Sequence, residues 1–122
     1  MPPEHEVTGS NPVGRTHTFM KYMLIMSTAG SKKEADLIAE TLVKEKLAAC
    51  VNIIPVATSV YKWKNELCRD SELLLFIKTV EPQKERVEAR ISEIHSYDNP
   101  EIIFLPIEGG SQTYLDWINE SV

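Results

Sequence analysis

ACVNIIPVATSVYKWKNELCRDSELLLFIKTV, residues Ala49 to Val80, decides the architecture. Its first half, to Trp63, is rich in Val, Ile, Thr and Tyr, residues that suit a pleated, half-buried surface. Pro55 interrupts this half, and a residue that cannot donate to a ladder implies a bulge or an edge position. Lys64-Asn65 marks a tight turn, and Asp70 to Val80 reads as the returning strand. Such a turn sets Cys68 against the region of Tyr61 and Cys50 against that of Thr79. The two thiols are then too far apart for a disulfide, whose Cα atoms lie within about 7 Å. Two free cysteines are expected, with Cys50 a small core residue among Ala48, Ala49 and Val51.

The flanking segments supply the remaining elements. Tyr22-Met-Leu-Ile-Met26 is a short apolar run that reads as a buried strand, and Ser27-Thr-Ala-Gly30 as the loop that ends it. Ser31-Lys-Lys-Glu34 is a capping box, in which serine and glutamate each satisfy an orphan backbone N–H. Behind it Ala35, Ile38, Ala39, Leu42 and Val43 recur at helical spacing. Pro82 suits the first turn of a second helix with the face Val87, Ile91 and Ile94. Tyr97-Asp-Asn-Pro100 stops that helix, Glu101 to Ile107 is a fourth strand, and Tyr114 to Ile118 a short terminal helix. The order is βαββαβ, an α+β chain on the ferredoxin-like, split-βαβ plan, with an antiparallel sheet and an extra C-terminal helix.

Alternation along the sheet strands leaves no polar side. In the run from Leu73 to Ile77, positions 73, 75 and 77 point one way and 74 and 76 the other, all apolar. Ile102 and Phe104 oppose Ile103, Leu105 and Ile107 in the same fashion. One face takes the two main helices; the other should be polar in a solvated monomer. A terminal helix of two to three turns, at ~1.5 Å per residue, is too short to shield four strands. The reading is an obligate oligomer, with the overshooting second and third strands offering edges for intersubunit pairing.

The chain has 122 residues, enough for one domain. Residues 1–20, with Pro2, Pro3, Gly9, Pro12 and Gly14, show no periodicity and read as a disordered or non-native extension. Residues 21–122 are the folded domain, and Met20 and Met23 are alternative starts. Thirteen Lys and Arg against 18 Asp and Glu leave a net charge of −5. That balance argues against nucleic acid and anionic membrane as partners. No apolar run reaches the roughly 20 residues of a membrane helix. With no secretory leader and only two cysteines, a cytoplasmic protein is expected.

Catalytic signatures are missing. There is no GxxxxGK[ST], GxGxxG or GxSxG sequence. The segment Met26 to Ser31 holds no cysteine for a soft metal. Arg69, Arg86 and Arg90 fall in a strand region or a helix rather than in the loop an acyl-phosphate hydrolase needs, so a non-enzyme is expected. His5 and His17 lie in the extension. His95, within His95-Ser-Tyr97-Asp98-Asn-Pro100-Glu101, reads either as part of a polar pocket or mixed N/O metal site, or as a helix end favoured by the dipole. Trp63 and Trp117 read as packing anchors.

Lys46-Leu-Ala-Ala-Cys50-Val-Asn-Ile-Ile-Pro55 and Ser59-Val-Tyr61-Lys-Trp63 resemble the signature of the CutA divalent-cation tolerance family. So do Leu75-Phe-Ile-Lys78-Thr79, the segment His95 to Ile102, and Tyr114-Leu-Asp-Trp117-Ile118. The resemblance implies a ferredoxin-like fold, a homotrimer with inward-facing sheets, and a cytoplasmic response to divalent metals such as copper. It also implies a likeness to the trimeric PII signalling proteins, and brings no enzymatic reaction with it. Copper-linked members carry a cysteine at the end of the first strand and paired histidines at the end of the second helix. Here those positions read Ser27 and Ile94-His95. The resemblance therefore implies His95 as a metal ligand for a divalent ion such as Cu or Zn, with no cofactor required. Tyr61, Trp63, Lys78, Tyr97 and Glu101 are expected around a cleft between subunits, where a PII-like small-molecule sensor or interaction module is the alternative reading.

Overall fold

A computed structural model describes residues 20–122. The expected extension lies outside the described residues except for Met20, which is half-buried against the terminal helix cluster. The elements are β1 (Tyr22–Ala29), α1 (Lys32–Lys44), β2 (Cys50–Trp63), β3 (Glu66–Val80), a 3-10 turn (Glu81–Gln83), α2 (Lys84–Ile94), β4 (Ile102–Ile107) and α3 (Gln112–Ser121). The strands form one antiparallel sheet in the order β2-β3-β1-β4.

Pairing sets the element ends. Ser27 and Thr28, expected in a loop, continue β1 because Leu75 and Leu74 of β3 face them in the ladder. The β2–β3 turn has left-handed backbone at Lys64 (φ 51°) and Asn65 (φ 68°). A two-residue turn with both centres at positive φ matches the twist of the strands it joins, so β3 starts at once at Glu66. Pro55 and Val56 together oppose Leu73, because Ile54 pairs with Leu74 and Ala57 with Glu72. That bulge shifts the register by one residue. Cys50 thus faces Lys78 instead of Thr79, and both cysteines are free and half-buried.

Two apolar clusters sandwich the sheet. On one face Met23, Ile25, Leu75 and Ile77 meet Ala35, Ile38 and Leu42 of α1 and Val87 and Ile91 of α2. Val43, expected on the α1 face, is exposed, since it sits at the edge of the stripe that the other four residues define. On the opposite face Tyr22, Ala49 and Val80 meet Leu115 and Ile118 of α3. α3 covers only that end. Further along, Leu24, Met26, Ile54, Leu74 and Phe76 are half-buried, while Ile103 and Leu105 are 46% and 38% exposed.

β2 and β3 continue past the last β1 pair, Ala29 with Leu73, as a two-stranded ribbon from Ala57 to Glu72. A ribbon without a third strand is marginal by itself. Val60, Trp63 and Leu67 on it are exposed, Leu67 by 72%.

Candidate acidic and aromatic concavity

The overhanging ribbon and the loop after α2 enclose a concavity of about 800 Å³ at the Ala29 end of β1. Thr28, Ser59, Tyr61, Trp63, Asp70, Glu72, Tyr97, Asp98 and Glu101 are among its lining residues. Alternation places Ser59, Tyr61 and Trp63 of β2 on the same ribbon face as Asp70 and Glu72 of β3. Twist then brings diagonal neighbours together. Ser59 Oγ donates to Glu72 Oε1 at 2.5 Å, and Tyr61 Oη to Asp70 Oδ2 at 2.5 Å. From across the concavity Tyr97 Oη donates to Glu72 Oε2 at 2.9 Å. Glu72 is 8% exposed and, among the described residues, bonded only by neutral donors.

Tyr97 is aimed by two elements. Gly30, between β1 and α1, leaves room for the phenol, since a Cβ there would lie 3.0 Å from Tyr97 Oη. The Tyr97 backbone N–H donates to His95 Nδ1 at 3.0 Å. The other ring nitrogen of His95, Nε2, lies 2.7 Å from the Thr28 carbonyl oxygen. A carbonyl only accepts, so Nε2 carries the proton and Nδ1 is the acceptor.

Glu34 completes the junction. Its N–H caps on Ser31 Oγ at 3.1 Å, as the capping box requires. Its carboxylate does not return to Ser31. It accepts instead from the N–H groups of Gly30 (3.4 Å) and Ser96 (2.6 Å), tying the start of α1 to the loop after α2. Burial works against the Glu34 charge, yet the Ser96 bonds, the nearby His95 and the Gly30 N–H hold its carboxyl below the usual carboxylate value.

The two phenols feel the local negative charge. Burial and then the bond to Glu72, reinforced by Asp70 and Glu34, push the Tyr97 hydroxyl up to about 12. For Tyr61 the bond to Asp70 leads, followed by burial, and the result is again about 12. Four carboxylates line the concavity, Asp70, Glu72, Asp98 and Glu101, with no basic side chain among the lining residues. Such a surface attracts cations.

Of the residues expected at a cleft, Tyr61, Trp63, Tyr97 and Glu101 do meet here. Lys78 does not. It lies six residues along β3 from Glu72, about 20 Å at strand rise. There its ammonium donates to Tyr114 Oη at 3.3 Å and sits 5.5 Å from that ring's centre. His95, expected as a metal ligand, is buried behind the lining, with Nε2 on the Thr28 carbonyl oxygen and Nδ1 accepting from the Tyr97 N–H. Among the described residues no group of three or more His, Cys, Asp and Glu is placed to hold a metal ion. Ser59, Asp70 and Glu72 are the residues sequence reasoning missed; the readable signal was Glu72 standing immediately before the apolar run. Among the described residues no helix is long and apolar enough to cross a membrane.

Residues 23–121 match the family model described as CutA1 divalent ion tolerance protein. The divalent-cation tolerance protein CutA of Thermus thermophilus is 44% identical over 98 residues, covering 80% of this chain and 95% of that one. The chloroplastic protein CutA of Arabidopsis thaliana is 42% identical over 99 residues, or 81% of this chain, which spans only 54% of the plant protein. The crystal structure of CutA1 from Oryza sativa superposes with a TM-score of 0.81 at 40% identity, covering 83% of this chain and 93% of that one. A family match over nearly all the described residues, with the same fold in a solved relative, leads to one conclusion: the chain belongs to the CutA1 divalent ion tolerance protein family.

Proposed function

We propose that the chain works as a homotrimer in divalent-cation tolerance, with residues 21–122 as the working domain, residues 1–20 an extension outside it, and the cytoplasm as its place of action. The apolar stretch of sheet that α3 leaves uncovered, from Leu24 and Met26 to the exposed Ile103 and Leu105, carries this reading. Covering it contributes about 25 cal/mol per Å² of apolar surface removed from water. The same association gives the bare ribbon a neighbour to pack against.

Divalent ions such as Cu(II) or Zn(II) bind weakly, with no resident cofactor and no catalysed reaction. The ligands in this reading are Asp98 and Glu101, which line the concavity and whose side chains make no hydrogen bond or ion pair among the described residues. An all-oxygen donor set suits hard and borderline divalent ions and offers Cu(I) no thiolate. One chain supplies too few ligands, so water or neighbouring chains complete the shell. Titration of Zn(II) and Cu(II) by calorimetry tests this. The doubly substituted Asp98→Asn, Glu101→Gln protein is expected to lose binding, with His95→Gln retaining it; equal affinity in all three rejects the assignment.

The three rings at the concavity, Tyr61, Trp63 and Tyr97, favour a second reading, a PII-like sensor or interaction module holding a small molecule between subunits. Native mass spectrometry of the untreated protein tests it: a retained organic ligand supports the sensor, and its loss in Trp63→Ala places it at the concavity.

A further inference from the structure

The concavity sets open aromatic rings among carboxylates that no base neutralises. Tyr61, Trp63 and Tyr97 are 43%, 63% and 37% exposed, although burying such rings is among the larger gains available to a fold. Asp70 and Glu72 each accept from a tyrosine hydroxyl, and no lysine or arginine stands among the lining residues. Trp63 already meets a cation. The Lys64 ammonium lies 6.0 Å from its ring centre, at the outer reach of a cation–π contact.

From this arrangement we infer that the concavity binds an elongated organic cation, an aliphatic di- or polyamine, its ammonium groups on the carboxylates and its methylenes along the rings. The inference rests on reading the concavity as a small-molecule site, and it names the chemical class that site takes.

The sign of the ligand follows from the lining, whose unbalanced carboxylates repel an anion. The rings then separate an organic cation from a metal ion. An aromatic face attracts an ammonium through its quadrupole and packs against methylenes. A divalent metal ion draws its affinity from oxygen ligands and water instead. Shape points the same way. Ser59, Tyr61 and Trp63 step along one face of β2, spanning about 13 Å at strand rise. Asp70 and Glu72 run beside them on β3, and Asp98 and Glu101 stand on the loop side. Such a track suits an extended chain better than a compact ion, and about 800 Å³ is the volume of a small-molecule site. Because the divalent-ion reading uses the same Asp98 and Glu101, amine and metal compete for one place.

Calorimetry of the whole chain, freed of metal by chelator, tests the class with spermidine, Mg(II) and tetramethylammonium as probes. Physiological ionic strength screens diffuse surface attraction beyond about 8 Å. Spermidine is expected to bind most tightly of the three. Trp63→Ala, on an exposed ribbon position, is expected to weaken spermidine about fivefold, the worth of one cation–π contact, and to leave Mg(II) unchanged. Trp63→Phe, which keeps a ring, should restore most of the loss. Nuclear magnetic resonance reads the same contact without any substitution, since ring currents should move the methylene signals of bound spermidine upfield. Spermidine bound no better than Mg(II), or bound with its methylene signals unmoved, overturns the inference. A neutral or anionic molecule retained by the untreated protein also overturns it, while leaving the small-molecule reading intact. No retained molecule together with no spermidine heat removes both.

Discussion

The Tyr97 hydroxyl donates to Glu72 Oε2 at 2.9 Å, and this bond joins the loop after α2 to the root of the β2–β3 ribbon. Ser59 occupies the other carboxylate oxygen, so Glu72 is the knot that keeps the ribbon set against the domain. Tyr97→Phe is expected to cost about 1.5–3 kcal/mol by urea denaturation at fixed chain concentration, as for a hydrogen bond to a charged group. Glu72→Ala should cost more than Glu72→Gln, because alanine leaves two donors without an acceptor.

Gly30→Ala tests the seat of Tyr97 from the other side. The added methyl meets the phenol oxygen at 3.0 Å, the far end of a side chain that can move a few tenths of an ångström. A small loss of stability is expected, about 0.5–1.5 kcal/mol. It should be largely absent in a Tyr97→Phe background, where no hydroxyl stands in the way.

Alkali should loosen the same region. Both phenols are held neutral, with values raised from 10.0 to about 12. The unfolded chain gives up these protons near pH 10 and the folded chain only near 12. The stability they contribute is therefore complete below about pH 10 and fades as pH rises through 12. Ultraviolet phenolate titration should show late-ionising tyrosines, one lost in Tyr61→Phe and another in Tyr97→Phe, beside Tyr22, which burial and then Asp116 also push up. Glu34 behaves oppositely: its lowered value gives stability above the usual carboxylate range, lost as acid titrates it.

Ser31→Ala removes the acceptor for the Glu34 N–H at the start of α1. The expected cost is about 1 kcal/mol. Since Glu34 also anchors Ser96, amide exchange at Ser96 should rise with it.

Local chemistry made much of the fold legible. Two-residue turn chemistry at Lys64-Asn65, the serine cap at Ser31 and the alternation from Leu73 to Ile77 each act within a few residues, and the sequence displays them directly. Contacts between distant segments stayed hidden. Ser27 and Thr28 look like loop residues until Leu74 and Leu75 extend the ladder to meet them. Glu72 looks like a solvated strand end until twist lays it across from Ser59 and Tyr97. Lys78 shares a strand with Glu72, and only the strand's length separates it from the concavity. The bulge at Pro55 was readable, but not which partner would be skipped, and that single residue moved Cys50 from Thr79 to Lys78.

Light scattering of the purified chain, joined to Leu105→Lys as a comparison, tests the central claim of a trimer built on the second sheet face. The wild type is expected at three times the 13.8 kDa chain mass, and the lysine, placed on exposed Leu105, is expected to shift the population toward single chains. A wild-type mass of one chain would contradict the account.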